Sequence, residues 1–77
     1  GPQRQLEKQE FKKTLMAAIA RLSPNERQVI TLYYYEELML KDIAQLMQVT
    51  PARVSQIHSR ALLKIRTELE GYLQQGD

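Results

Sequence analysis

Ser23-Pro24-Asn25-Glu26 constrains this chain more than any other four residues. A serine hydroxyl can accept a backbone N–H that the first turn of a helix leaves unpaired. Proline suits the first helical position, where its missing N–H costs nothing, and a glutamate three residues after the serine can return a bond to the serine's own N–H. One helix therefore ends near Leu22 and another begins at Pro24, so the chain reads as a succession of helices joined by short turns.

Before that break, residues 4–22 read as an amphipathic helix, with Phe11, Leu15, Ala18, Ile19 and Leu22 at spacings that make one apolar stripe. Its first few residues are expected to fray. After the break, Val29, Ile30, Tyr33 and Tyr34 carry the second helix to about Tyr35, and residues 36–39 read as a turn. A short third helix spans about Leu40 to Met47, with Leu40, Ile43, Ala44 and Met47 inward. Gln48-Val49-Thr50 connects it to a fourth, with Val49 expected to plug the corner.

Thr50 and Pro51 supply the second helix-start signature, a capping hydroxyl followed by proline. Val54, Ile57, Ala61 and Ile65 then form a buried stripe. The opposite face carries Arg53, Ser55, Gln56, Ser59 and Arg60. From Ile43 to Thr67 there are four Arg/Lys and no Asp or Glu, whereas residues 1–42 hold seven Lys/Arg against six Asp/Glu. A local basic face on a nearly neutral body suits docking on a polyanion. The last helix is expected to continue to about Tyr72, weakened at Gly71, with residues 74–77 as a loose tail. A short helix, a three-residue turn and a longer helix with a polar-basic outer face is a helix-turn-helix, whose second helix enters the major groove.

The expected fold class is all-α: a four-helix domain with a C-terminal helix-turn-helix over about residues 40–70. Its 77 residues allow one domain at most, read as residues 3–73, and Gly1-Pro2 reads as a protease-cleavage scar. No cysteine is present, so no disulfide framework or thiolate metal site is available. His58 has no second His or Cys to join it in a metal site and is expected at the edge of the DNA face or packed at a helix boundary. The apolar runs all fall short of the roughly 18 residues that would span a membrane. Glu36 and Glu37 read as a solvated turn rather than a catalytic pair, and no nucleophile–base pair or phosphate-cradling glycine loop is visible, so no enzyme and no cofactor is expected. Met16, Met39 and Met47 read as core filler.

The run L-S-P-N-E-R-Q-V-I-T-L-Y-Y-Y-E-E-L, then L-K-D-I-A, then V-T-P-A-R-V-S-Q-I-H-S-R-A-L resembles the fourth, C-terminal domain of bacterial sigma factors, most closely the flagellar/motility and sporulation-type group. The resemblance covers about residues 15–70. It implies a cytoplasmic bacterial protein that recognises the promoter −35 element, docks on the flap of the core RNA polymerase β subunit, and is blocked by an anti-sigma factor. By position it places Thr50, Ala52, Arg53, Ser55, Gln56, Ser59 and Arg60 at the DNA. Gln56 is the candidate for a bidentate contact to adenine and Ala52 for a thymine methyl; Arg53 and Arg60 could equally position on phosphates. Four positions depart from the family. Met39 stands where Thr or Ser commonly caps, which predicts a frayed or 3₁₀-like start to the third helix. Gln48 stands where glycine is common, and a left-handed backbone there would cost about 1–2 kcal/mol. Pro51 and Ala52 replace longer polar side chains. Two alternatives remain on sequence grounds: a protein-interaction domain bound mainly by an anti-sigma factor, and an unrelated helix-turn-helix regulator that dimerises through its terminal helices.

Overall fold

The computed structural model describes the backbone of residues 2–74 and the side chains of residues 7–74. Four α-helices follow in order: α1 Pro2–Ala20, α2 Pro24–Ile30, α3 Leu40–Met47 and α4 Pro51–Gln74. There is no strand among the described residues. α1 thus begins two residues earlier than its periodicity predicts and stops two earlier. Gln74, read as the start of a tail, closes α4; the rest of that tail, 75–77, and Gly1 lie outside the described residues.

The capping box at Ser23 is complete. Ser23 Oγ accepts from the Glu26 N–H at 3.3 Å, and the Ser23 N–H donates to Glu26 Oε1 at 2.9 Å. α2 then widens into a single π-helical segment, Thr31–Tyr35, in which the Glu36 N–H reaches back to the Thr31 carbonyl at 3.0 Å. The widening ends the helix where the sequence predicts, but it re-aims the tyrosines. Tyr33 turns toward the core, while Tyr34 and Tyr35 face solvent.

Two apolar clusters hold the helices together. Val29, Ile43, Ala44, Val54 and Ile57 lock α2 and α3 onto the first half of α4. Leu22, Ile30 and Ala61, flanked by Ile19 and Ile65, lock α1 onto its middle. Each fully buried Val or Ile contributes roughly 1.5–3 kcal/mol relative to exposure. Farther out, Phe11 of α1 packs against Tyr72 of α4, edge to face with centroids 6.3 Å apart. Phe11 stays partly exposed there rather than buried, because no third helix covers the pair at that level.

Three apolar expectations are corrected. Val49 is 37% exposed: the Val49 N–H bonds the Ala44 carbonyl, and Ile43, Ala44, Val54 and Ile57 fill the corner without its side chain. Met16 and Met39 are exposed rather than core filler, whereas Met47 packs against the first cluster.

Candidate nucleic-acid interface

The geometry of the turn before α4 decides which face of that helix is presented. Gln48 adopts φ 60 and ψ 43, the left-handed conformation that the missing glycine predicts. This lets the Gln48 N–H close on α3 and swings the chain into Thr50. Thr50 Oγ1 accepts the Arg53 N–H at 3.1 Å and the Thr50 carbonyl accepts the Val54 N–H, so α4 starts cleanly at Pro51. At the other end of the motif, α3 starts from Met39 with no side-chain cap. The Met39 carbonyl takes both the Asp42 and Ile43 N–H groups, a 3₁₀-like first turn on an otherwise regular helix.

With Val54 and Ile57 buried against α2 and α3, and Ala61 against Leu22 and Ile30, the residues between them are fixed outward. Thr50, Ala52, Arg53, Ser55, Gln56, Ser59 and Arg60 are all exposed. Arg53 Nη1 donates to Gln56 Oε1 at 3.4 Å, a long bond that orients the Gln56 amide with its NH₂ group free. Arg60, Ser55 and Ser59 form no side-chain hydrogen bond or ion pair among the described residues, so their groups are available to a ligand. No carboxylate interrupts this face until Glu68. Such a surface can neutralise phosphates and pair with base edges.

His58 sits on the flank of this face. Its Nε2 lies 2.8 Å from the Tyr34 hydroxyl, and its ring is 4.8 Å from that of Tyr33. His58 thus packs at a helix boundary, one of the two positions expected for it. The spacing names Tyr34 with Tyr33 on the second helix but does not pair it with His58, because the π-helical segment that delivers it leaves no periodic signal. Among the described residues no group of His, Cys, Asp and Glu could hold a metal, and no helix is long and apolar enough to cross a membrane.

The sigma-70, region 4 family profile matches residues 18–67, which include the second α-helix, the π-helical segment, α3 and α4 as far as Thr67. Among curated proteins, the chain is 44% identical over 69 residues to RNA polymerase sigma factor FliA of Escherichia coli, covering 90% of this chain and 29% of that protein. It is 40% identical over 73 residues to RNA polymerase sigma-D factor of Bacillus subtilis, 95% of this chain and 29% of that one. With FliA of Pseudomonas aeruginosa it shares 46% over 59 residues, 77% of this chain and 24% of the relative. The chain thus spans under a third of the length of these relatives. No solved structure matches it significantly.

Proposed function

This chain belongs to the sigma-70 region 4 family, a family of DNA-binding domains rather than enzymes, and from that premise we propose that it recognises the promoter −35 element through α4 and docks on the RNA polymerase β-subunit flap within a larger sigma factor. The observation that carries the DNA reading is the exposed, carboxylate-free face of α4 from Thr50 to Arg60, set at the end of a left-handed turn. Gln56 pairs with adenine, Ala52 packs on a thymine methyl, and Arg53 and Arg60 hold phosphates or a guanine edge. There is no covalent step. Contact with about three to five phosphates gives a salt slope of roughly −3 to −4. One such module buries on the order of 600–1,000 Å², so tethering beside another DNA-reading domain supplies the missing affinity.

A second reading, a partner surface for an anti-sigma factor, draws support from a different face. A groove between α1 and α4 is lined by Ala18, Leu22 and Leu63 with Arg21, Lys64 and Glu68 at its rim, and Met16 and Leu63 are more than half exposed.

An NMR titration of the labelled domain separates the two. A −35-like duplex should shift amides between Thr50 and Arg60, more than a scrambled duplex does. Shifts confined to α1 and α2, or none even at low salt, would remove the DNA assignment.

A further inference from the structure

The exposed face of α4 has two flanks of different chemistry. At about 3.6 residues per turn, Arg53, Arg60 and Lys64 follow one flank, while Ser55, His58 and Leu62 follow the other. A helix lying in the major groove has a phosphate wall on each side. The first flank meets its wall with three cations. Up to Leu62 the second has no Lys or Arg, and Arg66, next along it, is paired with Glu70 at 3.0 Å; its polar groups there are the Ser55 hydroxyl, the His58 imidazole and, brought in by the π-helical segment, the Tyr34 phenol.

Resting on the DNA reading of α4 above, we propose that Tyr34 and His58 form a proton-coupled contact to the second phosphate wall. The Tyr34 hydroxyl donates to a phosphate oxygen as His58 takes up a proton from solvent.

The 2.8 Å bond between Tyr34 Oη and His58 Nε2 supplies the coupling. A phenol has one proton to donate. Beside a neutral imidazole with Nε2 bare, that proton is committed to the nitrogen. Once the imidazole is protonated, its Nε2–H donates to the phenol oxygen, the bond reverses, and the phenol proton is free to turn outward. Tyr34 is 52% exposed, so its hydroxyl can reach an incoming group. The Tyr33 and Tyr34 rings pack against the imidazole with centroids 4.8 and 5.5 Å away, which holds the His58 ring in place beside the phenol.

The groups around His58 leave the phosphate as the counter-charge. From the π-helical segment the titratable groups facing it are the two phenols. Glu36 and Glu37, in the turn beyond, form no hydrogen bond or ion pair with it among the described residues. Three and four residues away on α4 stand Val54, Ser55, Ala61 and Leu62, all uncharged. α3, packed on α4 at Val54 and Ile57, carries Lys41 and Asp42, and neither pairs with His58 among the described residues. His58 is the only histidine in the chain.

The test is affinity for a −35-like duplex at about pH 6 and about pH 8 over a range of salt, with the His58 imidazole nitrogens followed by NMR. The unmodified chain should bind roughly fivefold tighter at the lower pH, with a salt slope steeper by about one. Adding duplex at constant pH should move the imidazole nitrogens toward their protonated shifts. His58→Gln should bind with one affinity at both pH values, and His58→Lys should restore tight, pH-independent binding. Tyr34→Phe keeps the ring and removes the relayed proton, so it should cut the pH ratio to below about twofold. A pH ratio that survives in His58→Gln, or imidazole shifts untouched by DNA, would overturn the proposal while Arg53→Ala still weakened binding. A duplex that does not engage α4 at all, with Arg53→Ala silent, would instead sink the DNA reading beneath it.

Discussion

Lys64 Nζ lies 2.9 Å from Glu26 Oε1, joining the middle of α4 to the first turn of α2. The same carboxylate oxygen accepts the Ser23 N–H, so one buried atom both closes a helix cap and clamps α4 to the body. The hydrogen bond from Lys64, and after it the Ser23 N–H, hold the Glu26 carboxyl below its ordinary value, while burial opposes them. The unfolded chain therefore binds this proton more readily than the folded one. The stabilisation is present above the ordinary carboxylate range near about pH 4.3 and is lost as pH falls through it toward the lower folded value. Melting temperature should drop on acidification through this window, and Glu26→Gln should flatten that part of the profile. At neutral pH the same substitution should cost about 1–2 kcal/mol, mostly through the cap, because the Lys64 side chain is half exposed and its ion pair is partly screened.

Arg53 and Gln56 are exposed and linked to each other, so truncating either leaves the core intact. Gln56→Ala should cost about 1–3 kcal/mol at the base it contacts and relax specificity there. Arg53→Ala should weaken binding more evenly across sequences. Thermal melts should match the unmodified chain, and duplex titrations should not.

Buried charge tests the register of α4. Val54 is fully buried and Ile57 nearly so. An unpaired carboxylate at either site costs on the order of 3–5 kcal/mol. A small domain sits near the lower end of the roughly 5–15 kcal/mol typical of folded proteins. Val54→Asp and Ile57→Asp should therefore abolish the cooperative melt; a native transition in Ile57→Asp would show the helix rotated from its assigned face.

The parts of this fold that were legible in the chain are those written in local chemistry. Ser23-Pro24-Asn25-Glu26 and Thr50-Pro51 mark helix starts by the bonds they can form, and both form them. The stripe Val54, Ile57, Ala61 follows from helical period alone and is buried. What stayed hidden depends on tertiary context. The five-residue π-helical widening at Thr31–Tyr35 has no compositional mark, so Tyr33 and Tyr34 read alike by spacing although only Tyr33 turns inward, and Tyr34 is not connected to His58. Val49 and Met16 are apolar, but the clusters they would fill are already closed by residues from other helices. The role proposed for Thr50 and the six outward residues on α4 comes from chemistry and resemblance, since exposure alone does not distinguish a DNA face from a solvated one.

Gln48 holds a left-handed backbone without being glycine. A side chain there costs about 1–2 kcal/mol, offset in part by the greater freedom a glycine loses on folding. Gln48→Gly should therefore raise stability by up to about 1 kcal/mol, while Gln48→Ala should bring no gain. Comparing the two melts isolates backbone strain from the loss of the glutamine side chain.

Met39 offers a complementary gain at the other end of α3. Its backbone already has the extended conformation of a helix cap, φ −75 and ψ 155, yet its thioether makes no capping bond. A serine or threonine hydroxyl in this geometry can accept an N–H from the first turn of α3. Little is lost in exchange, because Met39 is 64% exposed and leaves the buried clusters untouched. Met39→Ser should stabilise the domain by about 0.5–1 kcal/mol and slow amide exchange in the first turn of α3. Met39→Ala, which removes the same side chain without adding an acceptor, should gain nothing. Equal melting temperatures for the serine and alanine variants would mean that the bifurcated Met39 carbonyl already satisfies this turn and that the cap position is saturated.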